Sequence, residues 1–170
     1  MDLRDYIRDV PDFPRPGILF KDITPLLSHP PALRHAIKEM GKRCAALDPD
    51  TIVCIEARGF LFAAPMAYEM GKPLVPIRKR GKLPYKTLSV TYDLEYGTDT
   101  VEVHVDAISE GDRVVIVDDL LATGGTMAAA ARLVEQTGGE IAGLSVLIEL
   151  SELNGRAMLG GYDLISLIEY

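Results

Sequence analysis

Short runs of consecutive apolar residues recur along the chain, and several are separated by segments with helical spacing of apolar residues. Consecutive apolar residues are typical of parallel strands buried on both faces of a sheet. The predicted strands are residues 51–55, 74–77, 113–117, 141–150 and 164–168. Apolar residues three or four apart predict helices that start at Pro31, span 60–70 and follow Thr126. This alternation predicts an α/β protein with a doubly wound, mostly parallel sheet flanked by helices.

Residues 88–105 have a different period, because apolar and polar residues alternate one by one. Leu88, Val90 and Tyr92 begin the first alternating run, and a second run follows Gly97. Alternation with a turn between the runs predicts a two-stranded antiparallel hairpin with one solvent-exposed face.

The first 31 residues lack this regularity. Leu3, Ile7 and Val10 would share one face of a short helix over residues 1–10, but residues 11–31 are rich in proline. Apolar residues between the prolines predict an ordered, irregular segment that packs as a short N-terminal hood. The length of 170 residues predicts a single domain, 1–170.

Composition restricts the classes of partner. The chain has 18 Lys and Arg residues against 25 Asp and Glu residues, a net charge of −7, which disfavours binding to nucleic acid or to an anionic membrane. Residues 1–10 lack the apolar core that is typical of a signal peptide, and no apolar run approaches the ~20 residues of a membrane span. We therefore expect a cytoplasmic protein in which Cys44 and Cys54 are reduced.

The strongest chemical signal begins where the strand 113–117 ends. The string is Asp118, Asp119, Leu120, Leu121, Ala122, Thr123, Gly124, Gly125 and Thr126. Glycines, the free N–H groups of a helix start and threonine hydroxyls favour a phosphate. Two adjacent carboxylates suit the vicinal hydroxyls of a sugar, so the pattern indicates a ribose 5-phosphate. The alternative, a capped turn with solvent-facing acids, accounts for less of the string.

This string resembles the signature of the type I phosphoribosyltransferase family. Residues 13–25, 56–60, 77–84 and 94–97 resemble its adenine-specific members, in the same order along the chain. The resemblance covers nearly the whole chain and implies the fold of that family. It also implies purine salvage, the Mg²⁺-dependent conversion of adenine and 5-phosphoribosyl 1-diphosphate (PRPP) to AMP and diphosphate, by a homodimeric enzyme.

One segment concentrates positive charge. Residues 78–86 hold five cations and no acid in an otherwise acidic protein. This local reversal of the sign of charge favours a site for a polyanion over an ordinary solvated surface. By the resemblance, the diphosphate binds Arg78, Lys79 and Lys82.

A second diphosphate segment follows the strand 51–55. It consists of Glu56, Ala57, Arg58 and Gly59. The resemblance implies that its backbone cradles the diphosphate, and the guanidinium fork of Arg58 suits a phosphate. The alternative is a structural ion pair between Arg58 and Glu56.

Adenine recognition is assigned by the resemblance to the segment 1–31. The Leu19 carbonyl and the Lys21 amide would match the amino group and N1 of adenine. Phe20 would stack on one face and Leu150 would lie near the other, although Phe20 could also be ordinary core packing. A 6-oxopurine reverses the donor and the acceptor, so such a site rejects it.

Catalytic roles also follow from the resemblance. Glu95 corresponds to a glutamate near N7 and N9 of the base, although alternation alone makes it a polar hairpin residue, and Tyr96 would order the closed site. PRPP would hydrolyse if water reached it in the site. We therefore expect the segment 82–105 to be a flexible lid that excludes water. The histidines have no metal-ligand spacing. We expect no metal site made by protein side chains alone, since the PRPP oxygens carry much of the Mg²⁺ coordination.

Two other functions remain open at this point. One is a phosphoribosyltransferase for a 6-oxopurine such as xanthine. The other is a PRPP-sensing regulator without catalysis, which is disfavoured by the negative charge and by the lack of a helix-turn-helix segment.

Overall fold

The computed structural model describes residues 1–94 and 97–170. Two compact units are present, Met1–Glu39 and Met40–Tyr170. The helices are α1 (Thr24–Leu27), α2 (Pro30–Ala45), α3 (Phe60–Met70) and α4 (Gly125–Gln136), with 3₁₀ helices at Leu3–Tyr6, Ser151–Leu153 and Gly155–Leu159. The strands are β1 (Arg8–Pro11), β2 (Leu19–Asp22), β3 (Thr51–Ile55), β4 (Leu74–Lys79), β5 (Thr87–Asp93), β6 (Thr98–His104), β7 (Arg113–Leu121), β8 (Glu140–Glu149) and β9 (Leu164–Glu169). None of the helices in the described ranges has the length and apolar character needed to cross a membrane.

The first unit contains a small antiparallel sheet. Strands β1 and β2 pair with Val10 opposite Phe20 and Pro11 opposite Leu19. The predicted helix over residues 1–10 is therefore wrong beyond the 3₁₀ turn. Proline disfavours the helical conformation in the residue before it, so Val10 is extended ahead of Pro11 and pairs with β2 instead.

The second unit is built on one seven-stranded sheet. Its strand order is β5-β6-β4-β3-β7-β8-β9. Strands β4, β3, β7, β8 and β9 are parallel, and the β5–β6 hairpin adds to the edge through an antiparallel pairing of β6 with β4. The predicted α/β fold, with its mostly parallel sheet and antiparallel hairpin, is confirmed.

Strand β7 is longer than the sequence predicted. Pairing with β8 continues from Asp118 opposite Val146 to Leu121 opposite Glu149. The two adjacent acids therefore lie on the strand itself rather than in the turn after it. Their side chains are held at the carboxyl end of the sheet by the backbone ladder.

The chain order of the strands creates a crevice at this end of the sheet. After β3 the chain passes through α3 to β4 on one side, and after β7 it passes through α4 to β8 on the other. The carboxyl ends of β3 and β7 flank the point where the winding reverses, which is where open α/β sheets bind their ligands.

Candidate active site

A cavity of about 280 Å³ opens in that crevice. It is lined by Ile55, Glu56, Ala57, Arg58, Ile77, Lys79, Tyr92, Val101, Asp118, Asp119, Leu120, Leu121, Ala122, Thr123, Gly124, Gly125, Thr126 and Met127. The segment after β3 and the whole string of acids, glycines and threonines at the end of β7 therefore meet in one place. Lys79 brings the positive segment to the same wall.

The two adjacent acids have unusual electrostatics. Burial raises the pKa of Asp118 well above its usual range, and the neighbouring charge of Asp119 raises it further. Burial also raises the pKa of Asp119, while the positive charge of Arg58 opposes that rise. The backbone N–H of Asp119 donates to Oδ1 of Asp118 at 2.8 Å, which fixes that carboxylate at the cavity wall.

Arg58 pairs with an acid of β7 rather than with Glu56. Its Nε lies 2.9 Å from Oδ2 of Asp119, whose side chain is 5% exposed. Glu56 instead accepts from Nε of Arg78 at 3.2 Å and from the backbone N–H of Lys79 at 2.9 Å. The alternative of an Arg58–Glu56 pair is wrong, and Arg58 joins the two sides of the crevice.

Gly59 makes this close approach possible. A Cβ atom there would lie 2.6 Å from the Ile55 carbonyl oxygen and 2.8 Å from Oδ1 of Asp118. Any side chain would therefore push α3 away from β7. Gly59 does not line the cavity, although the Glu56–Ala57 peptide beside it, which is cis, does.

The turn between β7 and α4 rests on another turn of the chain. Gly124 has φ +89°, and a Cβ there would lie 2.5 Å from the Gly155 carbonyl oxygen. A Cβ at Gly155 would in turn lie 2.3 Å from the Ala122 carbonyl oxygen. Helix α4 begins directly after its N-cap residue Gly124, which has no side chain to cap the first N–H groups. Those donors are available to an anion in the cavity.

The positive segment is only partly directed into the cavity. The Lys79 ammonium lines it and pairs with Asp99, a hydrogen bond that raises the pKa of Lys79. Arg78 is turned toward Glu56 and the Lys82 carbonyl oxygen, and neither Arg78 nor Lys82 lines the cavity.

The alternation of apolar and polar residues predicts the wrong exposure for Glu102. The period of two places it on the solvent-exposed face of the hairpin, opposite to Val101 and Val103, but only 8% of this residue is exposed. Its carboxylate accepts the backbone N–H of Gly81 at 3.0 Å, which ties the positive segment to β6. The burial of this acid depends on a contact across the sheet that alternation does not record.

Tyr92 is a cavity residue that sequence reasoning did not single out. It is 6% exposed, and its hydroxyl accepts from Oγ1 of Thr126 at 3.1 Å. The same hydroxyl donates to Asp99, the partner of Lys79, at 3.5 Å. The Tyr92 hydroxyl therefore links the hairpin to the positive segment and to the start of α4. An apolar-face tyrosine in an alternating strand gives no signal of such a role.

The remaining candidates lie elsewhere in the chain. Leu19, Phe20 and Lys21 lie in β2 of the first unit, where the Lys21 ammonium pairs with Asp9 at 2.7 Å and the Phe20 ring meets the Phe13 ring edge-on. Leu150 follows β8 in the second unit, and its N–H donates to the Leu121 carbonyl oxygen at 2.9 Å.

The two predicted lid residues, Glu95 and Tyr96, lie outside the described residues. Across the described ranges, no group of three or more His, Cys, Asp or Glu side chains could hold a metal ion. Of the three described carboxylates that line the cavity, Glu56 already accepts from Arg78 and from the Lys79 N–H, whereas Asp118 and Asp119 could contribute to one.

Comparison with known proteins identifies a family. Residues 22–158 match the model of the phosphoribosyl transferase domain. Over 170 residues the chain is 57% identical to the adenine phosphoribosyltransferase of Kosmotoga olearia, and the match covers 100% of both chains.

Solved structures give the same result. The adenine phosphoribosyltransferase of Thermoanaerobacter pseudethanolicus superposes with a TM-score of 0.96 at 54% identity, covering 99% of this chain and 98% of that one. The enzyme from Saccharomyces cerevisiae, in complex with an imino-altritol bisphosphate and adenine, superposes with a TM-score of 0.91 at 37% identity, covering 97% and 96%.

Proposed function

Because the chain belongs to the adenine phosphoribosyltransferase family, we propose that it converts adenine and PRPP to AMP and diphosphate in purine salvage. One observation carries the proposal. A single cavity unites two adjacent carboxylates, the turn that leads into the start of α4, and the cations of Arg58 and Lys79. This is the chemistry that a phosphorylated ribose with a diphosphate leaving group requires.

The ribose 5-phosphate end of PRPP binds at the end of β7 in this proposal. Asp118 and Asp119 accept hydrogen bonds from the two ribose hydroxyls. The phosphate takes the backbone N–H groups of residues 122–126 and the hydroxyls of Thr123 and Thr126. The start of α4 supports this placement, because its N-cap residue is a glycine with no capping side chain.

The diphosphate binds between the two cationic parts of the cavity. The backbone of residues 56–59 and the side chain of Arg58 contact it from β3, and Lys79 contacts it from β4. Lys79 must then exchange Asp99 for a diphosphate oxygen. Arg78 and Lys82 also belong to this subsite in our proposal, as cations at its outer edge.

Adenine binds to β2 in our proposal. Residues two apart in a strand direct their N–H and C=O groups toward the same edge. The Leu19 carbonyl and the Lys21 amide can therefore bind one planar base, with Phe20 stacked on it. Lys21 contributes its backbone, since its ammonium pairs with Asp9.

The chain's residues divide the work of the reaction. The bond at the anomeric carbon breaks with positive charge developing on the ribose and negative charge on the departing diphosphate. Arg58 and Lys79 stabilise the negative charge on the diphosphate. The carboxylates of Asp118 and Asp119 lie near the positive charge on the ribose. Most of the remaining rate acceleration comes from holding the base and the ribose in line for the reaction. Glu95 is proposed to stabilise charge or hold a proton at N7 or N9 of the base, and Tyr96 to order the closed site.

Magnesium is the proposed cofactor. Mg²⁺ prefers oxygen ligands and keeps bound waters or substrate oxygens, and the adjacent carboxylates of Asp118 and Asp119 fit that preference. They would hold the ion together with the hydroxyl and diphosphate oxygens of PRPP. The ion would neutralise charge on the leaving diphosphate.

Product formation from each base tests the proposal. We expect purified protein with PRPP and Mg²⁺ to convert adenine to AMP, and to use hypoxanthine or xanthine about 10⁴-fold less well because reversed donors and acceptors leave buried groups unpaired. Excess EDTA should abolish the reaction. Equal use of a 6-oxopurine would contradict the base assignment, and no product from any base would indicate a PRPP-binding regulator.

We also propose that the protein is a cytoplasmic homodimer that binds neither nucleic acid nor membrane. Helix α3 supports the dimer, because Leu61 is 45% exposed and Tyr68 is 88% exposed on a helix that is otherwise strongly apolar. Light scattering after gel filtration should give twice the chain mass of 18.6 kDa. A monomer at micromolar concentration would contradict the proposal.

A further inference from the structure

A bidentate ion pair lies behind the turn that enters α4. Glu149, the last residue of β8, is 4% exposed. Its two oxygens accept from Nε of Arg156 at 2.6 Å and from Nη2 at 2.7 Å. Burial acts to raise the pKa of Glu149, but the hydrogen bonds from Arg156 and Ser166 together with the charge of Arg156 hold the pKa below its usual range. Paired donors and acceptors of this kind fix orientation as well as charge.

Arg156 anchors a short helix to the sheet. It belongs to the 3₁₀ helix Gly155–Leu159, and its Nη2 also donates to Oγ of Ser166 on β9 at 3.3 Å. A helix of five residues has little stability of its own. Its position therefore depends on anchors, and within the described residues these include the Arg156 contacts and the buried side chain of Leu159.

The same short helix supports the turn in the cavity. The Gly155 carbonyl oxygen lies only 2.5 Å from the position that a Cβ of Gly124 would take, and the Ala122 carbonyl oxygen lies 2.3 Å from that of a Cβ of Gly155. Met158 closes the contact, since its Cβ would lie 3.0 Å from a Cβ of Gly124. Contacts this close transmit any displacement of the short helix to residues 122–124.

We propose that Glu149 and Arg156 are positioning residues for the phosphate-binding turn. Neither lines the cavity, so they act through the short helix rather than by touching the substrate. Their pair holds Gly155 against Ala122 and Gly124, which sets the direction of the backbone donors of residues 122–126. The proposal rests on the proposed function, because it names what keeps the ribose 5-phosphate subsite in shape.

Arg156→Met tests this role because it keeps an unbranched apolar stem and removes the guanidinium, and with it both hydrogen bonds to Glu149. We expect the KM for PRPP and the dissociation constant for ribose 5-phosphate to rise about tenfold or more, since small misplacements of binding groups have effects of that size. The KM for adenine should change less than twofold. Arg156→Lys should recover part of the loss. Amide exchange of the peptide covering residues 120–128 should become faster in Arg156→Met.

Arg113→Met is the matched control. Arg113 donates to the carbonyl oxygens of Leu47 and Asp48 at the opposite end of β7, so it is a structural arginine remote from the cavity. We expect it to lower thermal stability without changing the KM for PRPP. Glu149→Gln, which keeps the shape of the acid, serves if Arg156→Met does not fold, and its KM for PRPP should also rise.

The outcomes separate the two proposals. The positioning role is wrong if the folded Arg156 and Glu149 variants keep the wild-type KM for PRPP, the wild-type dissociation constant for ribose 5-phosphate and the wild-type rate of amide exchange. An equal rise in the KM for PRPP in Arg113→Met would overturn it too. A wild-type protein that binds ribose 5-phosphate but forms no AMP would contradict the proposed function, while ribose 5-phosphate binding would still report on the positioning pair.

Discussion

Replacing Asp118 and Asp119 together by asparagine should raise the KM for PRPP at least a hundredfold. Each carboxylate is proposed to accept a ribose hydroxyl, and a hydrogen bond to a charged group contributes about 1.5–3 kcal/mol, so losing two gives roughly a 10²- to 10⁴-fold effect. The double variant also removes the partner of Arg58 at 2.9 Å. Initial rates against PRPP concentration, with calorimetric titration of PRPP into the protein, measure the change.

Asp112→Asn controls for the loss of one acid near β7. Asp112 precedes that strand at the end remote from the cavity, where its carboxylate accepts from the Ser109 N–H and the Thr51 hydroxyl. We expect its KM for PRPP to equal that of the wild type. If the double variant also keeps the wild-type PRPP affinity, the carboxylates do not bind the ribose.

Arg58→Met should have the second-largest effect. The guanidinium is proposed to stabilise charge on the departing diphosphate, and removing one such group lowers kcat/KM about 10²- to 10³-fold. It also leaves the buried carboxylate of Asp119 without its cation. Because burial already raises the pKa of Asp119 and Arg58 opposes that rise, the pKa should rise further in the variant. The carboxylate is then protonated at a higher pH, so the acid limb of the pH–rate profile should move upward.

Profiles of kcat/KM against pH for the wild type, Arg58→Met and Arg58→Lys measure both effects. Lysine keeps the charge but not the fork of donors, so it should restore the position of the acid limb more fully than the rate. Arg132→Met, a change of an exposed arginine on α4, is the control and should leave the profile unchanged. An Arg58→Met enzyme with a wild-type rate and profile would rule out this role for Arg58.

The architecture could be predicted from local patterns because each strand of the parallel sheet carries its own signal. Val114 to Val117 are apolar on consecutive positions and fully buried, as a central strand requires. The end of that strand could not be placed, because Asp118 and Asp119 are unfavourable strand residues by local preference. Pairing with β8 carries the strand through them, and that pairing is a long-range contact.

The candidate site could be predicted where chemistry lies in consecutive residues and not where it depends on contacts across the fold. The string 118–126 is contiguous, and the structure brings it together with residues 56–58 and Lys79 in one cavity. Tyr92 and Arg156 gave no signal. Their partners, Thr126 and Glu149, are 34 and 7 residues away, and only the folded chain shows these contacts.

A crystal structure with bound AMP tests the central claim most directly, since this nucleotide carries the ribose, the phosphate and the base together. We expect its 5′-phosphate against the backbone of residues 122–126. Both ribose hydroxyls should lie within about 3 Å of the carboxylates of Asp118 and Asp119. Nucleotide bound anywhere else, with the turn between β7 and α4 free of ligand, would contradict the account.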